Sequence, residues 1–166
     1  MTQHLILGGA RSGKSSYAEQ CALNLSSTPV YIATATAEDK EMRARIARHQ
    51  SDRAKVWRLI EEPLDLASAI NNINDKSVVL VDCLSLWLSN CLHADIWQQH
   101  KTEFLKQISS TQHDLILVSN EVGMGVVPMG ELSRQFVDQA GWLHQALAEH
   151  CDTVTLIIAG LPQKLK

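Results

Sequence analysis

The chain has 166 residues, 45% of them apolar and 20% charged, and a formal net charge of −3. Those proportions exclude a disordered, collagenous or coiled-coil protein, and the length suits one domain that buries a two-faced sheet core. The weak negative charge gives no basic field for nucleic acid or an anionic membrane, so neither is an expected partner.

The first predicted element is a short buried strand over residues 5–7. Gly8-Gly9-Ala10-Arg11-Ser12-Gly13-Lys14-Ser15 follows it directly and is a complete G-x-x-x-x-G-K-[ST] phosphate loop. Residues 16–23 then open a helix. In such a turn the backbone amides converge on an anion and the helix dipole adds partial positive charge. Lys14 reaches the β/γ-phosphates and the Ser15 hydroxyl ligates Mg²⁺. The order strand, glycine turn, helix separates this match from a chance one in a glycine-containing loop.

Further apolar, β-branched runs at 30–33, 56–60, 78–81, 115–118 and 154–159 alternate with amphipathic segments. Near-continuous apolar strands separated by helices predict an α/β chain whose mostly parallel sheet is covered on both faces. Between the second and third runs, residues 38–50 carry Asp39/Arg43 and Glu41/Arg45 at the stabilising i, i+4 spacing, with Met42, Ile46 and His49 on one face. A lone histidine there is more often a packed, hydrogen-bonded residue than a catalytic one. The arginines around it, including Arg53, are equally a solvated helix face or cations that steady a triphosphate. Pro63, after Glu61-Glu62, predicts the first turn of a helix.

Four apolar residues, Val78 to Val81, leave Asp82 at the carboxyl end of a central strand, as in a Walker B segment. There Asp82 holds Mg²⁺ or N-caps the helix that begins near Leu84, or does both. Residues 120–130 contain Gly123, Gly125, Pro128 and Gly130 and predict the longest irregular stretch. Its Asn120 and Glu121 either bind acceptor or metal, or cap backbone groups. Cys21, Cys83, Cys91 and Cys151 lack metal or disulfide spacing and read as reduced thiols of a cytoplasmic protein. The first residues carry no cationic segment followed by a long apolar stretch, and no run reaches membrane-spanning length, so a soluble protein is expected.

Taken in order, the phosphate loop at 8–15, Tyr31-Ile32-Ala33-Thr34-Ala35, the arginine-flanked His49 with Gln50-Ser51-Asp52-Arg53, Trp57-Arg58 with Glu61-Glu62-Pro63, Val81-Asp82-Cys83-Leu84, and Asn120-Glu121-Val122-Gly123-Met124-Gly125-Val126-Val127-Pro128 resemble the bifunctional adenosylcobinamide kinase/adenosylcobinamide-phosphate guanylyltransferase family of cobalamin biosynthesis. The resemblance runs from the first strand to the end of the chain. It implies a P-loop NTPase of RecA-like fold, a homotrimer, and two successive reactions. ATP or GTP phosphorylates adenosylcobinamide; then His49 takes GMP from GTP, with Mg²⁺ present, and passes it to the new phosphate. By the same resemblance the nucleotide is held by Gly8 to Ser15, Ala33, Thr34, Ala35, Gln50, Ser51, Asp52, Arg53, Glu61 and Asp82. The chain departs from the family pattern at Ala54, where many members have proline, and at Asp82, where some have another residue. Without the resemblance, two other readings fit a phosphate loop: a small-molecule kinase with no nucleotidyl transfer, and a nucleotide-dependent regulatory module.

Overall fold

The structure, a computed structural model, describes residues 1–35 and 56–166. The predicted helix over 38–50, with His49, and the segment Gln50-Ser51-Asp52-Arg53 lie outside the described residues.

The strands are β1 (Gln3–Gly8), β2 (Val30–Ala33), β3 (Arg58–Glu61), β4 (Val78–Asp82), β5 (Asp114–Asn120), β6 (Thr153–Ile158) and β7 (Leu161–Lys164). The helices are α1 (Lys14–Leu25), α2 (Leu66–Asn71), α3 (Leu84–His93), α4 (Trp97–Ser110) and α5 (Glu131–His150). All seven strands form one sheet in the order β3-β2-β4-β5-β1-β6-β7. Among the described residues, only the β6–β7 pair is antiparallel.

Alternate residues of each central strand serve opposite faces, which is why the runs are apolar throughout rather than every second residue. Leu5, Val79, Val81, Leu115 and Leu117 join Leu66, Trp87, Phe104, Leu143 and Leu147 of the helices in one buried cluster. Ile6, Leu80, Ile116, Val118 and Ile157 meet Ala18 and Ala22 of α1 in the other. The small alanines let α1 lie close to the sheet, directly behind the phosphate loop.

Three details depart from the sequence expectations. The third strand begins at Arg58 rather than residue 56: pairing with β2 starts at Val30↔Arg58, while Val56 is exposed and Trp57 packs its ring edge-on to Tyr31. Pro63 is not in the first turn of a helix. The Glu62 carboxylate accepts from the amides of Leu64 and Asp65, at 2.8 Å each, and Asp65 then caps α2 by accepting from the Ser68 amide. The last run also turns back on itself, because Ala159 (φ 52°) and Gly160 (φ 79°) form the two-residue loop of a hairpin whose return strand is β7. Both central residues at positive φ are what a type I′ hairpin turn requires.

Candidate active site

The parallel strands deliver a row of chain ends to one edge of the sheet. Glu61, Ala33 and Asp82 are register partners across β3, β2 and β4, and Gly8 pairs with Asn120 across β1 and β5. The phosphate loop leaves this edge between β1 and α1. Gly13 occupies the N-cap position of α1 at φ 95°, and no side chain caps the helix. Its first-turn amides are therefore left to an anion, as the motif requires. Within the loop the Ser12 amide donates to the Gly9 carbonyl at 3.2 Å. The Lys14 ammonium donates to the same carbonyl at 3.1 Å, folded over the loop and buried. The Ser12 hydroxyl is buried with no hydrogen-bond partner among the described residues, a group that a phosphate oxygen would satisfy. Gly9, Ala10 and Arg11 are exposed.

The hairpin tip braces this loop from outside the motif. The Gly160 amide donates to the Ser12 carbonyl at 2.8 Å, and a Cβ on Gly13 would lie only 3.2 Å from Gly160 Cα. A side chain on Gly13 would thus crowd the hairpin tip, whereas one on Gly160 would meet nothing within 4 Å, and both residues sit at positive φ.

Asp82 ends β4 beside the loop, and the Asp82–Cys83 peptide bond is cis. The Asp82 side chain does not cap α3; Cys83 holds the N-cap position, with no side-chain cap bond. Asp82 Oδ2 instead accepts the Tyr31 hydroxyl at 2.8 Å, and Oδ1 has no partner among the described residues. A carboxylate oxygen here and the half-buried Ser15 hydroxyl at the start of α1 are hard oxygen donors of the kind Mg²⁺ takes, so the donor set fits that ion. Burial pushes the neighbouring Cys83 thiol up, Asp82 adds to that shift, and Lys14 opposes it; both charges of the site reach this sulfur.

Thr34 is fully buried between β2 and β4, Ala33 and Ala35 are half-buried, and Glu61 is exposed at the end of β3. The Asn90 amide of α3 donates to the carbonyls of Thr34 (2.9 Å) and Pro63 (3.1 Å), tying two chain ends together. Ser85 accepts from the Asn120 amide at 3.2 Å. Glu121 spends its carboxylate on the amides of Gly123 and Met124, at 2.7 and 3.2 Å, while its own amide donates to Gly8. These bonds are the backbone caps that its position after β5 allows. Behind it His144 shares a 2.7 Å hydrogen bond with buried Ser119, and burial lowers the imidazole pKa, with Glu121 acting against that shift. The loop beyond exposes Met124, Val126, Val127 and Met129 next to a groove of about 420 Å³ lined by Leu92, Val122, Leu132 and Phe136, among others.

Sequence reasoning did not assign roles to Tyr31, Ser85, Asn90 or Gly160.

A family model described as cobinamide kinase / cobinamide phosphate guanyltransferase matches residues 4–165. The chain belongs to this family. The bifunctional adenosylcobalamin biosynthesis protein CobP of Pseudomonas aeruginosa is 51% identical over 166 residues, covering 98% of this chain and 96% of that protein. CobU of Escherichia coli, also described as a bifunctional adenosylcobalamin biosynthesis protein, is 38% identical over 179 residues, covering 98% of each. Among solved structures, an ATPase domain superposes with a TM-score of 0.51 at 13% identity, over 93% of this chain and 68% of that one. That likeness concerns the fold alone, a P-loop NTPase of RecA-like type, as the family resemblance implies. Among the described residues, no helix is long and apolar enough to cross a membrane.

Proposed function

We propose that this chain is a bifunctional enzyme of cobalamin biosynthesis that phosphorylates adenosylcobinamide and then guanylylates the product. The observation that carries the reading is the uncapped α1 N-terminus with Lys14 and the loop amides around it, in a chain of the cobinamide kinase / guanyltransferase family. In the first reaction the cobinamide hydroxyl oxygen attacks the γ-phosphorus of ATP or GTP, and the nucleoside diphosphate leaves. Such a step needs positioning and charge neutralisation more than a strong base. Here Gly8 to Ser15 hold the phosphates, Lys14 offsets their growing charge, and Ser15 and Asp82 hold Mg²⁺. The bound ion neutralises phosphate oxygens.

In the second reaction the unprotonated imidazole of His49 attacks the α-phosphorus of GTP and pyrophosphate leaves. An oxygen of adenosylcobinamide phosphate then displaces the imidazole, giving adenosyl-GDP-cobinamide and free His49. A histidine suits this role because it is largely neutral near pH 7 and its phosphoramidate is labile, which divides one hard displacement into two easier ones. Ala33, Ala35, Gln50, Ser51, Asp52, Arg53, Glu61 and Asp82 complete the nucleotide site in this reading. The same reading makes the working protein a cytoplasmic homotrimer.

Incubation with α-³²P-GTP tests the proposal. Label that is acid-labile, base-stable and absent from His49→Ala supports it. Kinase activity on cobinamide with no protein label would leave a small-molecule kinase, and triphosphate binding without transfer to any acceptor would leave a regulatory module. Either outcome refutes the bifunctional reading.

A further inference from the structure

The family resemblance groups Thr34 with the nucleotide contacts, yet each of its polar groups is already engaged within the protein. The Thr34 amide donates to the Asp82 carbonyl at 3.3 Å. The hydroxyl accepts the Cys83 amide at 2.9 Å and donates to the Cys83 carbonyl at 2.8 Å. The Thr34 carbonyl accepts the Asn90 side-chain amide at 2.9 Å, and none of the residue is exposed. Three of those bonds end on the peptide that leaves Asp82 and on the carbonyl that follows. They fix the backbone from which the Asp82 carboxylate projects.

The carboxylate is gripped a second time from the neighbouring strand. Tyr31 is two residues along β2 from Ala33 and 4% exposed, with its ring edge-on to Trp57 at a centroid distance of 5.5 Å. Its hydroxyl reaches Asp82 Oδ2 and not Oδ1. A side chain with only two rotatable bonds, held at one oxygen and at the following peptide, has little orientational freedom left. That is how groups behind a metal ligand act: they orient the ligand and set its affinity without touching the ion.

We infer that Thr34 and Tyr31 are positioning residues for Asp82, which together aim its free oxygen at the divalent ion of the nucleotide complex, and that Thr34 makes no side-chain contact with nucleotide. The inference rests on the proposed role of Asp82. It goes further by moving Thr34 out of the nucleotide-binding set and by giving Tyr31 a function.

Two measurements on the full-length protein test it. Mn²⁺ binding to the GTP complex is read by the loss of the free-ion electron paramagnetic resonance signal, and GTP binding without divalent ion is read by calorimetry. Thr34→Val keeps the side-chain shape and removes the hydroxyl. It is expected to weaken Mn²⁺ binding by about 10- to 100-fold, the usual effect of losing a group behind a metal ligand. Metal-free GTP affinity stays unchanged, and Thr34→Ser restores Mn²⁺ binding. Tyr31→Phe removes the hydroxyl that donates to Asp82 Oδ2, outside the buried Thr34 cluster, and is expected to weaken Mn²⁺ binding in the same direction, so the test survives if Thr34→Val does not fold. Loss of metal-free GTP affinity in Thr34→Val with Mn²⁺ binding intact would overturn the inference, as would wild-type Mn²⁺ binding in both variants. Asp82→Asn is the control: wild-type Mn²⁺ binding in that variant would refute the role of Asp82 itself, whereas a loss there with none in the other two would refute only the positioning.

Discussion

Replacing Gly8 and Gly9 separately by alanine asks whether the phosphate loop is held by close packing at its root. A Cβ on Gly8 would lie 2.4 Å from Ser12 Oγ and 2.8 Å from the Ile157 carbonyl oxygen. The Ser12 hydroxyl can rotate away, but the Ile157 carbonyl belongs to β6, whose pairing with β1 sets Gly8 opposite Ile157. The sheet must therefore give, and overpacking of this kind costs about 1–3 kcal/mol. At roughly 2–4 °C per kcal/mol for a domain of this size, Gly8→Ala is expected to lower Tm by about 2–12 °C. A Cβ on Gly9 would meet nothing within 4 Å, and Gly9 lies outside the left-handed region. Gly9→Ala keeps the carbonyl that accepts from Ser12 and Lys14 and reduces the freedom of the unfolded chain, so it is expected to be neutral or to stabilise by about 0.4–1 kcal/mol. Thermal and urea unfolding without nucleotide measure both. Equal losses in the two variants, or a Gly8→Ala protein as stable as wild type, would refute the packing argument.

Lys14→Ala removes a charge-assisted hydrogen bond to phosphate, about 1.5–3 kcal/mol, and is expected to weaken triphosphate binding by roughly 10- to 150-fold in calorimetry. Because one phosphate site serves both reactions, it slows phosphoryl and guanylyl transfer together, whereas His49→Ala spares the kinase step; a kinase rate retained in Lys14→Ala would contradict this. His144 supplies a pH dependence. Its folded pKa is lowered from 6.5 by burial, so the unfolded chain binds the proton more readily. Its contribution to stability is complete above pH 6.5 and falls as pH drops through and below that value. In urea unfolding between pH 7.5 and 5, His144→Gln is expected to lose stability less steeply than wild type; parallel curves would show that the imidazole is not held neutral.

The parts of this site that could be read from the chain are those written contiguously. The phosphate loop is eight consecutive residues whose spacing is the mechanism, and Asp82 follows an unbroken apolar run that only a buried central strand explains. Where local pattern misled, a neighbour in space decided the outcome. The apolar character of Val56 and Trp57 extends the third run, but Pro29 accepts the Arg58 amide and pairing begins there. β7 is four exposed residues containing Pro162, a sequence that reads as no strand until the turn at Ala159 and Gly160 lays it along β6.

The residues missed at the site share one property. Tyr31 and Asp82 are 51 positions apart, Thr34 and Cys83 are 49 apart, Asn90 and Thr34 are 56 apart, and Ser85 and Asn120 are 35 apart. No local spacing can encode such pairs; they exist because β2, β4 and β5 are adjacent and end at one level. The distinction bears on where substitutions matter. Changes within the loop motif alter phosphate contacts directly. Changes at Tyr31, Thr34, Ser85 or Asn90 act on the relative placement of strand ends, so their effects should couple to one another more strongly than to Lys14, in the manner of residues that share hydrogen-bond partners.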